Sequence, residues 1–211
     1  MIVLLDCPQR TYAVAAQELG FEVGQLLSPP TQRADFGLPR YAMDNGAWAS
    51  WRNPQIMLRM VERQKPQLAR CLWVAVPDVV GSCRRTLDLW DEWTGHFAGW
   101  PLAFVAQDGA EDCDLPWDGM DCLFIGGSTQ WKASRAAMET ARCAKLLGKW
   151  LHVGRVNTPG RMRHWADIAD SIDGTGLSQY AWMRKELNSP LLFDEEGNAH
   201  DVPLVATDGG E

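Results

Sequence analysis

Asp44, Asp78 and Asp173 share a setting in this sequence. Each closes a short apolar run, in YAMDNG (41–46), VAVPD (74–78) and SIDGTG (171–176), with glycine or proline close by. Gln107 does the same in FVAQDG (104–109), and so does the pair Gly126–Gly127 in FIGGST (124–129). Carboxylates that work together can divide labour, one attacking carbon as a nucleophile and another moving protons. An amide and nearby backbone N–H groups add donors for a polar ligand. Such chemistry needs residues that are far apart in sequence to meet at one place.

The elements that must position them read as an alternation. Strands are predicted at 2–6, 22–28, 40–46, 72–78, 101–107, 122–127, 150–155 and 171–175, and helices at 11–19, 54–64, 83–97, 130–147 and 159–169. Gly20 and Gly148 close two of the helices, and Pro54 opens a third. Eight strands that mostly alternate with helices predict an α/β fold, a compact (β/α)8 barrel over residues 1–187. Residues 188–211, rich in Gly, Asp, Glu and Pro, read as a C-terminal tail or flap. In a parallel barrel the C-terminal strand ends share one face, where active sites are built. Asp44, Asp78, Gln107, Gly126, Gly127, Arg155 and Asp173 all fall at such ends.

The totals narrow the function classes. Among 211 residues, 46% apolar, no run is long enough to span a bilayer. The opening MIVLLDCPQR lacks a basic leader and reads as a first strand. Six cysteines stand singly and none has CxxC spacing, so free thiols in a reducing cytoplasm are expected, and no metal. A net charge of −7 excludes a general nucleic-acid coat but not a local basic face. Residues 131–164 hold eight Lys and Arg, Lys132 and Arg155 among them, against the single acid Glu139. They read either as a solvated helix face or as a surface turned to phosphates. No phosphate-cradling Gly loop or metal triad is visible, which ranks kinase and metallohydrolase readings low.

As an ordered set, the landmarks from YAMDNGAW to SIDGTGL resemble the tRNA-guanine transglycosylase superfamily. The likeness is greater to its short phage-encoded branch, thought to insert 7-deazaguanines into DNA. MDNGAW (43–48) matches an Asp-Ser-Gly-Gly-aromatic motif, which makes Asp44 a proton shuttle and Trp48 a ring stacked on the base; Asn45 and Ala47 depart from the pattern. By the same resemblance Asp78 reads the guanine edge, Gln107 holds the base, and Gly126 and Gly127 bring a backbone N–H to the base oxygen. HVGRVN (152–157) resembles a loop lining the pocket, which assigns Val153 to base binding. Asp173 matches the second member of an Asp-x-x-Asp and becomes the nucleophile. The tRNA enzymes also carry a Cys-x-Cys-x-x-Cys plus His zinc site, whereas residues 144–211 contain no Cys. Zinc, and the contacts a zinc subdomain supplies, are therefore not implied, and no cofactor is.

Exchanging a base with retention at the sugar calls for two inversions through a covalent glycosyl-enzyme. Asp173 and Asp44 suit nucleophile and proton carrier. Gly174 and Gly176 would clear room for the sugar-phosphate. Guanine offers donors at N1 and N2 and acceptors at O6 and N7, which Asp78, Gln107 and Gly127 complement. A base in duplex DNA must first leave the stack, which gives an aromatic platform at Trp48 a task. Arg155 and Lys132 are candidate phosphate contacts. His152 is given a minor part.

The implied partners are DNA and a free 7-deazaguanine such as 7-cyano-7-deazaguanine, with no membrane. The setting would be the host cytoplasm if the chain is phage-encoded. A homodimer or a partner protein stays open. Three rivals stand beside this reading: a tRNA-guanine transglycosylase, a barrel N-glycoside hydrolase using the two carboxylates, and a non-catalytic protein that binds modified bases.

Overall fold

The computed structural model describes residues 1–47, 54–187, 191–193 and 199–201. Eight parallel strands close into a barrel in sequence order: β1 (Ile2–Leu5), β2 (Glu22–Leu27), β3 (Tyr41–Met43), β4 (Cys71–Ala75), β5 (Leu102–Ala106), β6 (Cys122–Ile125), β7 (Trp150–Val153) and β8 (Ser171–Asp173). The seam is made by β8 against β1, with Ile2 beside Ser171 and Leu4 beside Asp173. The expected α/β barrel is thus the observed one.

The helices are α1 (Gln9–Leu19), α2 (Pro54–Gln64), α3 (Cys83–Trp93), α4 (Thr129–Lys132), α5 (Arg135–Leu146), α6 (Pro159–Ala166), α7 (Thr175–Gln179) and α8 (Ala181–Leu187). Two connections carry no α-helix: residues 28–40 after β2, and the loop after β5, which holds only a 3-10 turn at Ala110–Asp112. These omissions let a barrel close within so short a chain. Other differences from expectation are local. The helix expected over 130–147 is two, because the Ser134 hydroxyl accepts from Ala137 N–H and starts α5 afresh. The third strand ends at Met43, just before Asp44, whose backbone N–H still bonds the Leu27 carbonyl of β2 at 2.9 Å. After the barrel, β9 (Leu191–Phe193) and β10 (Ala199–Asp201) pair antiparallel.

Period-two alternation sorts every strand into two layers. Ile2, Leu4, Leu26, Ala42, Trp73, Ala75, Ala103, Val105, Cys122 and Phe124 fill the barrel interior. Their neighbours, such as Val3, Val74, Phe104, Leu123, Leu151, Val153 and Ile172, pack outward against the helices. Trp73 plugs the axis, with ring centroids 5.3 Å from Phe124 and 4.5 Å from His152. Burying so many large side chains, at roughly 1.5–3 kcal/mol each, is what holds the barrel closed. The seam is reinforced from outside, where Arg184 of α8 bonds Glu18 of α1 at 2.6 Å and the Leu177 carbonyl at 2.7 Å.

Candidate active site

The same alternation aims polar side chains into the open end of the barrel. Inward Phe124 is followed by Gly126, inward Val105 by Gln107, and inward His152 and Ser171 by Gly154 and Asp173. Together with Asp44 and Asp78 they wall a cavity of about 810 Å3 at the C-terminal strand ends. That size is ordinary for a small-molecule site.

Asp173 is the most firmly held group in it. Its Oδ2 lies 2.9 Å from His152 Nε2, and its Oδ1 accepts the Arg155 backbone N–H at 3.0 Å. His152 is wholly buried, and burial lowers its pKa against the opposing pull of Asp173. Its Nδ1 is 2.9 Å from Ser171 Oγ, which is also 2.9 Å from Trp150 Nε1. The indole N–H can only donate, so Ser171 Oγ accepts from Trp150. Nε2 faces a carboxylate, which only accepts, so it carries a proton that points at Asp173. Burial disfavours charge on Asp173, but the hydrogen bond and charge of His152, the Arg155 N–H and the Lys132 charge outweigh it and hold the carboxyl below its usual range.

Asp44 is tuned the opposite way. Burial, then the charges of Asp173 and Asp78, raise its pKa to about 7, although N–H groups of Gly46 and Asn45 favour its charged form. Gly46 holds this corner at φ 74°, a region costly for other residues, and a Cβ there would come within 2.8 Å of Pro30. Asp78 is raised to about 6 by burial, even though two amides donate to it. Asn45 Nδ2 reaches its Oδ1 at 2.8 Å, and Gln107 Nε2 reaches its Oδ2 at 2.6 Å. Gln107 Oε1 in turn accepts the Gly81 N–H at 2.9 Å.

Arg155 joins the two sides. It is one of the few non-glycine residues at positive φ (60°), and its guanidinium bonds the carbonyls of Gly126, at 2.7 Å, and Gly127. That left-handed turn sets its backbone N–H toward Asp173. Gly154, just before it, lies so close to the Phe124 ring that a Cβ would come within 2.6 Å.

The structure brings Asp44, Asp78, Gln107, Gly126, Arg155 and Asp173 to one cavity. Trp48 lies outside the described residues. Other expectations need correction. Both Gly126 and Gly127 donate their N–H groups to the Ala106 carbonyl, at 2.9 and 3.1 Å, so neither is directed at a base oxygen. A Cβ on Gly127 would strike Trp131 and Asp108, making it a packing residue beneath α4. Val153 belongs to the outward layer and is buried against the helices, away from the main cavity. Gly174 and Gly176 do not clear space for a sugar: a Cβ on the first would meet Asn157 Oδ1 and the Val156 carbonyl, and on the second Met183 Sδ. The run at 131–164 is not one surface either. Lys145 pairs with Asp170 and Lys149 bonds the Met120 carbonyl at the N-terminal end of the barrel, while Arg135 pairs with Glu139. Lys132, Arg155 and Arg161 alone gather near the cavity, and Lys132 is buried.

Two residues gain importance. His152 becomes the direct partner of Asp173, and its sequence signal was parity: position 152 faces inward if Phe124 does, since they are register partners. Asn45 braces Asp78 and accepts the Ala47 N–H at 2.7 Å, an Asx turn of the sort Asn-Gly favours.

Among the described residues no group of His, Cys, Asp and Glu is disposed to hold a metal ion. All six cysteines are free thiols. No described helix is long and apolar enough to cross a membrane. No family model and no curated protein sequence matches the chain. Among solved structures, phosphoribosyl anthranilate isomerase from Thermus thermophilus aligns with a TM-score of 0.41 at 15% identity, over 88% of this chain and 95% of that one. L-talarate dehydratase from Polaromonas sp. JS666, complexed with Mg and L-glucarate, aligns with a TM-score of 0.48 at 13% identity, over 96% of this chain and 58% of that one.

Proposed function

We propose that this chain is a glycosyltransferase of the base-exchange kind, replacing guanine in DNA with a free 7-deazaguanine through a covalent aspartyl-glycosyl intermediate. The observation that carries the proposal is two carboxylates facing one cavity in opposite settings: Asp173 is held by His152 Nε2 at 2.9 Å and the Arg155 N–H at 3.0 Å, which favour its charged form, and Asp44 is buried with its pKa raised to about 7. Pairs of groups whose environments separate their proton affinities mark acid–base assignments.

In this reading an Asp173 oxygen attacks C1′. The C1′–N9 bond breaks, its electron pair goes to guanine, and guanine takes the proton of Asp44. The incoming deazaguanine then gives its N9 proton to ionised Asp44, N9 bonds C1′, and Asp173 leaves as carboxylate. Two inversions return the original configuration. His152 keeps its Nε2 proton throughout and orients the nucleophile. Asp78, braced by Asn45 and Gln107, has lone pairs left for guanine N1–H and N2–H.

The choice of DNA over tRNA rests on the resemblance of the sequence landmarks to the phage branch. The test is competition, with labelled deazaguanine offered duplex DNA, single-stranded DNA and unmodified tRNA of equal guanine content, followed by digestion to nucleosides and mass spectrometry. Label in deoxynucleoside supports the proposal. Label in tRNA alone moves the substrate, and release of guanine without incorporation makes the protein a hydrolase.

A further inference from the structure

Behind the Gly154–Arg155 segment lies a second pocket of about 240 Å3, between α4, the end of β7 and α6. Lys132, Arg155, Arg161 and His164 line it, with no carboxylate among its lining residues. Lys132 is only 5% exposed. Its ammonium donates to the Gly154 carbonyl at 2.5 Å, and among the described residues no carboxylate comes within ion-pairing distance. A buried ammonium held by one neutral carbonyl is an under-compensated charge. Gly160 in the first turn of α6 also lines the pocket; Pro159 has no N–H and the Arg161 N–H bonds Thr158 Oγ1 at 3.3 Å, so the Gly160 N–H is the first-turn amide placed to meet an anion.

We propose that this pocket is an anion site that receives one phosphate group, held by Lys132 and Arg161 against the first turn of α6. Resting on the function proposed above, its occupant is a backbone phosphate of the nucleic-acid strand whose target nucleotide enters the main cavity. Gly154 and Arg155 line both pockets, so a phosphate there sits directly behind the segment that holds Asp173. Burial, and then the charge of Arg155, lower the Lys132 pKa to about 7, with Arg161 adding to the effect and Asp173 and Asp108 opposing it. An anion beside it would favour the ammonium form, so binding near pH 7 would take up a fraction of a proton from solution.

The probe is inorganic phosphate, titrated calorimetrically into the full chain near neutral pH, at ionic strength held constant with chloride. Two buffers of different ionisation enthalpy report the proton taken up. Lys132→Met should weaken binding about ten- to a hundredfold. Since Lys132 is buried, a second variant guards against misfolding. A Cβ on Gly160 meets nothing closer than Arg163 Nη2 at 3.9 Å, so Gly160→Asp is tolerated there and adds a negative charge at a residue lining the pocket. It should abolish phosphate binding while keeping the thermal transition. No binding by the wild type at millimolar phosphate, or undiminished binding by folded Gly160→Asp, overturns the site. Displacement of a short deoxyoligonucleotide by inorganic phosphate supports the backbone as source; phosphate binding without displacement overturns that source. Failure of base exchange in an enzyme that still binds phosphate overturns the proposed function and leaves the anion site standing.

Discussion

His152 Nε2 stands 2.9 Å from Asp173 Oδ2, on a ring whose other nitrogen is fixed 2.9 Å from Ser171 Oγ. The imidazole is gripped at both ends, and Trp73 and Phe124 pack against it. It cannot turn away from the carboxylate without leaving buried polar groups unpaired. It acts as a rigid donor, aiming one N–H at the oxygen that the proposed chemistry uses.

The first prediction follows from that donor. A hydrogen bond to a charged group contributes about 2 kcal/mol, so His152→Phe should slow formation of the glycosyl-enzyme roughly thirtyfold. His152→Gln, which keeps an N–H, should recover part of the loss. Asp173→Asn should form no covalent adduct at all. Trapping of the adduct on denaturing gels, timed under single-turnover conditions, measures all three. A wild-type rate for His152→Phe would remove the ring from the nucleophile's support.

A second prediction concerns pH and the two half-reactions. Asp44 must carry a proton when guanine leaves and must have lost it when deazaguanine attacks. With its pKa raised to about 7, adduct formation should decline as pH rises through 7, and adduct breakdown by deazaguanine should accelerate over the same interval. Asp44→Asn should flatten both profiles. Rapid-quench measurements of each half-reaction between pH 5.5 and 8.5 decide the matter, and parallel profiles would contradict the shuttle.

The same residue predicts a change in stability. Unfolded, Asp44 ionises near pH 4; folded, it keeps its proton to about pH 7. The folded state binds the extra proton, so its advantage is present below pH 4 and is lost as pH rises to 7. Asp44→Asn escapes that loss. It should match the wild type in Tm at pH 4 and exceed it at pH 8, where the difference reaches roughly 2–4 kcal/mol. Thermal unfolding at the two pH values tests this, and a variant less stable than wild type at pH 8 would show that the buried charge is compensated.

Gln107 gives a prediction on binding. It donates to Asp78 at 2.6 Å, and that bond opposes the rise that burial imposes on the Asp78 pKa. Gln107→Leu removes the donor, pushes the Asp78 pKa further up, and protonates a group that must accept from the base. Deazaguanine affinity at pH 7 should fall about tenfold or more, with partial recovery at higher pH as Asp78 ionises again. Calorimetry across pH 6–9 separates this from plain loss of packing, which would not recover.

The barrel was legible because its cause is periodic. Strand positions such as 2–5 and 122–125 alternate inward and outward side chains, and the parity carries Gln107, Gly126 and Asp173 into one cavity. What the sequence hid was second-order. Nothing local says that Gly127 spends its N–H on the Ala106 carbonyl, or that Gly174 yields space to Asn157 rather than to a sugar. Those facts depend on which loop from elsewhere arrives beside the glycine. The basic run at 131–164 misled for a similar reason: a strand crosses the whole barrel within it, so Lys149 and Arg155 emerge at opposite ends.

Gly154 yields the last prediction, on how tightly the nucleophile is held. A Cβ there would lie 2.6 Å from Phe124 Cε2 and 3.4 Å from Asp173 Oδ2. The aromatic ring is rigid and flanked by Trp73 and His152, so it has little room to retreat. The backbone must move instead, and with it the Arg155 N–H that bonds Asp173 Oδ1. Overpacking of this sort costs about 1–3 kcal/mol, and a displacement near 1 Å at a reacting group costs roughly a hundredfold in rate. Gly154→Ala should therefore lower Tm modestly and slow adduct formation by about that factor. Phe124→Leu removes the ring atoms in the way, so Gly154→Ala/Phe124→Leu should regain much of the rate relative to Gly154→Ala. The double-mutant cycle isolates this coupling from the separate cost of losing the ring. Additive losses would mean that Gly154 and Phe124 act independently, and that the close approach does not set the position of Asp173.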